Sequence, residues 1–190
     1  MAYEPIKIRV DETAVKSIYD DLAYLKNGAP RAMSRAINHT LGVTRTEASS
    51  EIRKQVKLKA GYVRDKLKIR KATMSQLSGA IRTPTRGTLL TRYPHRQYKK
   101  GGIGVQVKPG SGKTKHMPGA FFITFGNGVQ AIAYRTKYGP GLGRSEGLKV
   151  LYGPSTSQVF TDVKDDLQAP SGNRLMRRLA MEADRLLAKQ

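Results

Sequence analysis

The sequence predicts an α+β fold, a single domain in which a small, mainly antiparallel sheet packs against several helices, one of them long, basic and near the N-terminus. Apolar residues recur with helical spacing in the longer segments and alternate with strand spacing in several short ones. The order of these segments, β-α-α-β…β-α-α, is that of an α+β domain. At 190 residues, 38% of them hydrophobic, the chain has the length and composition of one domain.

The first third of the chain is predicted to hold a strand and two helices. Residues 6–10 alternate apolar and charged side chains, as a half-buried strand does. A helix should follow and end at Asn27-Gly28, a pair that favours the left-handed backbone found after helices. Pro30 suits the first turn of the next helix, which we expect to run over residues 30–56.

This long helix combines an apolar face with a stripe of arginines. At about 100° per residue, apolar side chains cluster on one side and four arginines cluster beside them. The stripe consists of Arg31, Arg35, Arg45 and Arg53. Such stripes are usually solvated, and the alternative is a basic surface that contacts a partner. The sequence leaves both interpretations open.

The middle of the chain is predicted to contain short elements around a long basic loop. A short helix is expected at 62–67, with strands at 77–81 and 103–107. Residues 83–102 lack periodicity, and loops of that length are usually functional or disordered, so we expect a mobile loop. Four of its cations are candidate contacts for DNA or a partner protein: Arg92, Arg96, Lys99 and Lys100.

Three tyrosines, Tyr62, Tyr93 and Tyr98, lie in or near this basic stretch. Their rings could stack on bases while the cations contact phosphates. The alternative is that they belong to the core or to an interface, since aromatic side chains supply much of a protein's packing area. No zinc-finger or other nucleic-acid-binding pattern accompanies them, so any such binding would depend on charge and shape.

The C-terminal half is predicted to begin with a hairpin. Residues 120–125 and 131–134 are strand-like and flank Gly126-Asn127-Gly128, a strong turn signal. The glycine-rich segment 139–147 has few side chains to pack, so we expect it to be mobile. A short strand is expected at 148–152.

Two helices are predicted to end the chain. Ser155 and Gln158 have the spacing of a capping box, so the first helix should begin there. Residues 169–172, which include Pro170, should end it, and a final helix is expected over 175–187.

Positive charge is concentrated in one part of the sequence. The net charge is +21, and residues 31–115 hold 21 Lys and Arg against three acids, so this segment contributes +18. Such an excess cannot be neutralised within the segment. We therefore expect a strongly positive surface that binds phosphate or an acidic partner.

The sequence does not support catalysis, metal binding or a cofactor. It contains no cysteine, and His39, His95 and His116 have no partner at metal-ligand spacing. Residues 110–114 end like a phosphate-binding loop, but Val107 stands where that motif needs glycine, and no helix is predicted to follow. No Gly-x-Ser-x-Gly pattern is present. We expect neither an enzyme nor a cofactor.

Membrane insertion is also not expected. No apolar run approaches the roughly 18 residues that a spanning helix needs. The N-terminus alternates polar and apolar residues where a signal peptide would be continuously apolar.

Several segments follow one another in an order that has a known counterpart. They are residues 32–46, Glu51-Ile-Arg-Lys, Lys59-Ala-Gly-Tyr-Val-Arg-Asp-Lys-Leu, Pro118-Gly-Ala-Phe-Phe, and Leu151-Tyr-Gly-Pro-Ser leading into a helix. Over roughly residues 30–165 the chain thus resembles the phage minor tail protein Z family, the tail completion proteins of lambda-like phages and prophages. No single motif is chemically diagnostic, and the order of the motifs carries the resemblance.

The resemblance implies a structural virion protein without catalytic residues, which completes the head-proximal end of the phage tail, helps join tail to head and supports DNA delivery. It implies partners in the neck, namely the tail terminator and head-tail connector proteins, and a homo-oligomer or ring assembled in the bacterial host cytoplasm. The competing interpretation is a sequence-nonspecific nucleic-acid-binding protein that acts through a basic surface. A nonspecific DNA contact is compatible with both.

Overall fold

The computed structural model describes residues 12–22, 27–137, 143 and 146–188, and it confirms the α+β class. The chain divides into two compact units. Unit 1 comprises residues 1–51, 64–83 and 160–190, and unit 2 comprises residues 52–63 and 84–159. Unit 1 holds most of the helical residues, and unit 2 holds most of the strands.

The described residues form four α-helices. They are α1 (Glu12–Asp21), α2 (Gly28–Gln55), α3 (Ala60–Lys66) and α4 (Thr156–Leu187). The first three lie where the sequence predicts helices, but α1 ends at Asp21 and not at the predicted stop, Asn27-Gly28. Asn27, immediately before α2, has the expected left-handed backbone, with φ of 60°. The strand predicted at 6–10 lies outside the described residues.

Ten short strands, all paired antiparallel, form four small sheets in this part of the chain. They are β1 (Lys68–Arg70), β2 (Ala80–Arg82), β3 (Thr88–Leu89), β4 (His95–Gln97), β5 (Ile103–Gln106), β6 (Thr114–Met117), β7 (Phe121–Thr124), β8 (Gln130–Arg135), β9 (Leu148–Val150) and β10 (Tyr152–Gly153). The sheet orders are β1-β2, β10-β3, β4-β5-β6 and β7-β8-β9. The predicted hairpin across 126–128 is confirmed as β7-β8.

In unit 1, α2 and α4 pack against each other in antiparallel directions. The contacts join Thr44 with Ser171, Glu47 with Arg174, and Arg35 with Glu182. The later part of α2 therefore meets the middle of α4, and its earlier part meets the end of α4. The Thr44 and Ser171 hydroxyls share a 2.7 Å hydrogen bond, and both residues are fully buried.

The prediction of two C-terminal helices separated at 169–172 is wrong, because α4 continues through Pro170. Proline removes a backbone hydrogen bond and costs about 3 kcal/mol in a helix interior. Leu167 and Leu175, on either side of it, are each 5% exposed, and Ser171 is fully buried at its contact with α2. Packing against α2 outweighs the local helix-breaking signal.

One side chain of α2 fixes the segment that follows β1. Asn38 Nδ2 donates to the Ala72 carbonyl at 2.9 Å, and Asn38 Oδ1 accepts the Ala72 N–H at 2.8 Å. The amide thus satisfies both backbone groups of a residue that has no strand neighbour. Before β2, a Cβ atom at position 79 would lie 3.1 Å from the Ile37 side chain, so Gly79 permits the close approach to α2.

In unit 2, Tyr93 is a core residue with 2% of its surface exposed. Its hydroxyl donates to the Pro154 carbonyl at 3.1 Å, and a Cβ atom at Gly153 would lie 2.7 Å from its ring. Burial raises the pKa of Tyr93 to about 12, so the hydroxyl stays protonated and able to donate. Of the two interpretations of this tyrosine, the structure supports the core one.

Residues 83–102 are not one continuous loop, which corrects the prediction. They contain β3, a 3₁₀ turn at Leu90–Arg92, and β4. These pieces are two or three residues long, and β3 pairs with β10, far along the chain. Elements so short carry no local periodicity. The mobility of this segment stays a prediction, and most of the glycine-rich segment 139–147 lies outside the described residues.

The start of α4 is the predicted capping box. The Gln158 N–H donates to Ser155 Oγ at 3.0 Å, and the Ser155 N–H donates to Gln158 Oε1 at 2.8 Å. Ser155 is 2% exposed, so solvent has little access to replace its hydroxyl.

Ser155→Ala should lower the free energy of unfolding by about 1 kcal/mol, because one helix N–H loses its acceptor. Denaturant midpoints followed by circular dichroism measure this change. Ser111→Ala, in the exposed turn between β5 and β6, is the control and should leave the midpoint unchanged. Equal midpoints for both variants would show that the cap does not stabilise α4.

Candidate interaction surfaces

Charge is divided unevenly between the two units. Unit 2 carries 16 Lys and Arg side chains and one carboxylate, Glu146, for a net +15. Unit 1 carries the other 19 cations and 13 carboxylates, for a net +6. Unit 2 has almost no internal counter-ions, so its surface attracts external anions.

The four arginines of the α2 stripe have different environments. Arg31 is exposed, whereas Arg35 is partly buried and lies 3.7 Å from the Glu182 carboxylate. Arg45 is also partly buried, and its Nε has no hydrogen-bond partner among the described residues. Arg53 is exposed and belongs to unit 2, unlike the other three. The stripe therefore contains two exposed and two partly buried arginines.

A buried carboxylate accounts for the position of Arg35. The Glu182 side chain is 3% exposed, and its Oε1 accepts a 2.6 Å hydrogen bond from Arg178, one turn earlier on α4. Its Oε2 faces Arg35 on α2. A buried carboxylate is costly unless it is paired. The two arginines compensate this charge, and Arg35 also links α2 to α4.

Three of the candidate cations of unit 2 cluster on the β4-β5 hairpin. Arg96 lies on β4, and Lys99 and Lys100 occupy the turn, which is closed by a 3.0 Å backbone hydrogen bond. Gly101 and Gly102 follow with left-handed φ values of 89° and 82°, a backbone that other residues adopt with strain. All three cations are exposed. The hairpin thus presents them on a defined backbone.

One face of the β4-β5-β6 sheet combines aromatic rings with positive charge. The strand register places Arg96, Gly104 and His116 side by side. The Tyr98 ring lies against Gly104, where a Cβ atom would be 2.8 Å away. The Arg96 guanidinium lies 4.6 Å from the centre of that ring, and the His116 ring meets it edge-on at 4.6 Å. We call these four residues the Arg96 layer.

Arg92 and Tyr62 form a second cation–aromatic pair in unit 2. The Arg92 guanidinium carbon lies 5.7 Å from the centre of the Tyr62 ring. Arg92 is exposed and Tyr62 is half-buried. With Tyr93 in the core, the other two tyrosines of the basic stretch each retain exposed surface beside an arginine.

The geometry offers no site for metal or nucleotide chemistry in the part of the chain that is described. These residues contain no group of three His, Asp or Glu side chains that could hold a metal ion. Residues 107–113 connect β5 to β6, and Thr114 begins a strand where a phosphate-binding loop would lead into a helix. None of the described helices has the length and apolarity to cross a membrane.

Comparison with known proteins identifies the family. The family model described as Prophage minor tail protein Z (GPZ) matches residues 12–189. The chain belongs to this family. No curated protein and no solved structure matches the chain.

Membership in the minor tail protein Z family confirms the resemblance drawn from the sequence and extends it beyond residues 30–165. Proteins of this family are structural components of the tail and not enzymes.

Sequence reasoning selected the exposed cations of the β4-β5 hairpin but missed the role of Glu182. The pair Arg178 and Glu182 has the i,i+4 spacing of a helix ion pair, so that contact was visible in the sequence. Nothing local indicated that the carboxylate is buried and that Arg35, from another helix, also faces it.

Glu182→Gln should destabilise this minor tail protein by about 3 kcal/mol, because two arginines lose a buried counter-charge. Glu47→Gln is the matched control, since Glu47 forms a partly exposed pair with Arg174. It should cost about 1 kcal/mol or less. Urea denaturation of both variants and the wild type measures the difference, and equal losses would contradict the role assigned to Glu182.

Proposed function

We propose that this minor tail protein completes the head-proximal end of the phage tail, helps join the tail to the head, and supports DNA delivery as a component of the virion neck. One observation carries the proposal. The chain belongs to a tail-protein family, and its unit 2 has a net charge of +15 with a single carboxylate. A protein in the neck meets two anionic surfaces, the DNA that passes from head to tail and the acidic faces of ring proteins. Cations without internal counter-ions are suited to both.

The protein partners in this proposal are the tail terminator and the head-tail connector, with further copies of the chain in a homo-oligomer or ring. Copies that each carry a +15 unit repel one another unless an anionic partner lies between them. Formation of the ring is then coupled to binding of that partner, which fits a step that follows assembly of the tail in the host cytoplasm.

The contact residues in this proposal come from the eight candidate cations. Six of them are exposed: Arg31, Arg53, Arg92, Arg96, Lys99 and Lys100. Arg35 and Arg45 are partly buried, and Arg35 faces Glu182. The exposed six are the proposed contacts, whereas Arg35 pairs with Glu182 inside unit 1.

Deletion of the gene for this chain from its phage should leave capsids and tail tubes able to form and should strongly reduce infectious particles. The reason is that a completion factor acts after both structures exist. Plaque counts and negative-stain images of the deletion phage measure the outcome, and expression of the chain in trans is the control that should restore plaques.

Two results would contradict this function. Normal plaque counts would show that the chain is dispensable for completion. Absence of capsids or of tail tubes would place the chain in an earlier assembly step.

The second candidate function is sequence-nonspecific binding of nucleic acid through a basic surface. The Arg96 layer favours it, because Tyr98 carries an arginine on its face beside two exposed lysines of the same hairpin. Arginines and lysines contact phosphates without sequence preference.

If the hairpin contacts duplex DNA, log affinity should fall with log salt, with a slope of about −0.9 for each phosphate neutralised. Lys99→Gln/Lys100→Gln should then flatten the slope by about two units. Arg31→Gln/Arg53→Gln makes the same charge change on α2, and a wild-type slope for it would show that these two proposed contacts bind protein and not DNA. Fluorescence anisotropy at several salt concentrations measures all three proteins.

The reverse pattern would assign the DNA contact to α2 and not to the hairpin. Wild-type slopes for both double variants would exclude both sets of lysines and arginines as DNA contacts, and would leave acidic protein surfaces as their partners.

A further inference from the structure

Unit 2 also has an apolar concave surface, on the face of the β4-β5-β6 sheet opposite the Arg96 layer. It is a cleft of about 360 Å³. The register pairs Val105 with Lys115 on this face, next to the pair of Gly104 and His116 on the other. Side chains of neighbouring strand positions point to opposite faces, so the two surfaces are separate.

The cleft has a buried apolar floor and an exposed aromatic wall. Val105, Leu90 and Met117 line the floor, with 2%, 7% and 8% of their surfaces exposed. Tyr152 lines the wall and is 48% exposed. Clefts of a few hundred Å³ with apolar linings are typical of sites that receive a small molecule or the anchoring side chain of a partner.

One residue lining the cleft is charged. Lys115 is exposed on β6, and among the described residues its side chain has no hydrogen-bond or ion-pair partner. It belongs to the unit that has 16 cations and one carboxylate. A carboxylate from a partner can therefore pair with Lys115, and the positive electrostatic potential of unit 2 attracts it to the cleft.

We infer that this cleft docks an acidic segment of a neighbouring head or tail protein, with one apolar side chain on the floor and one carboxylate at Lys115. The identity of the partner as a neck neighbour rests on the proposed function. The chemistry of the occupant rests on the cleft and its charge.

Two other occupants fit less well. A nucleic acid needs a row of cations along its backbone, whereas the lining of this cleft offers one, and Arg96 with the Tyr98 ring lies on the opposite face of the sheet. A second copy of this chain would bring another unit that contains a single carboxylate, Glu146. Charge complementarity therefore favours a different, acidic protein.

The probe for a test is a blocked, fluorescein-labelled peptide, Gly-Asp-Glu-Phe-Glu-Asp-Gly, added to the purified full-length chain. Anisotropy gives its Kd, and methyl NMR shows whether Val105, Leu90 and Leu151 respond. The inference expects these methyl signals to shift. A peptide with Ala in place of Phe should bind about tenfold more weakly or worse, since it buries no ring. A peptide with Asn in place of Asp and Gln in place of Glu should also bind more weakly.

Variants of the chain make the test specific. Lys115→Gln should lower the affinity for the acidic peptide about fivefold. Lys113→Gln, the same charge change two residues earlier and outside the cleft lining, should change it less than twofold. Tyr152→Ala removes the aromatic wall of the cleft. It should lower the affinity for the Phe peptide more than the affinity for the Ala peptide. If Tyr152→Ala fails to fold, the Lys115 and Lys113 comparison still decides.

Three results would overturn the inference. Equal affinity of the Phe and Ala peptides would reduce the binding to general charge attraction. Equal effects of Lys115→Gln and Lys113→Gln on the affinity would show that Lys115 makes no specific contact with the bound peptide. Displacement of the peptide by a DNA duplex, with methyl shifts at the same residues, would make the cleft a nucleic-acid site. Infectivity of the deletion phage tests the proposed function separately, because it does not depend on any of these affinities.

Discussion

The antiparallel pairing of α2 with α4 is the constraint on which unit 1 depends. Apolar burial supplies much of its stability, but polar contacts fix its register, because Thr44 and Ser171 are fully buried and each satisfies the other. A shift of the helices by one turn would separate these hydroxyls, at about 1–3 kcal/mol for each buried group left unpaired. The same shift would move Arg35 away from Glu182. Register and charge compensation are therefore set together.

This pairing also determines which charges are left for partners. Glu47 and Glu182 engage arginines inside unit 1, and 13 of the 14 carboxylates of the chain belong to that unit. The positive field of unit 2 is screened over about 8 Å at physiological salt. Its cations consequently act only on partners that come close to the surface.

Much of the fold was predictable where a signal is local. The left-handed backbone of Asn27, the extent of α2, the β7-β8 turn and the Ser155 cap each depend on residues within a few positions of one another. The continuous α4 was not predictable, because Pro170 is a local break signal that tertiary packing overrides. The excess of positive charge was predictable from composition, and six of the eight candidate cations are exposed. Its boundaries were not, since they follow the division into units and the burial of Glu182.

The β4-β5-β6 sheet separates two kinds of binding surface that have different physical consequences. Exposed cations such as Lys99 raise the rate at which an anionic partner arrives, but salt screening limits their contribution to a bound complex. An apolar cleft acts only at contact, and desolvation of its floor slows dissociation and discriminates between partners. Gly104 leaves room for the Tyr98 ring on one face of the sheet, and Val105 lines the floor of the cleft on the other. Adjacent residues of one strand thus belong to the two surfaces. Substitutions in this strand can therefore change the attraction to polyanions and the fit of the cleft independently.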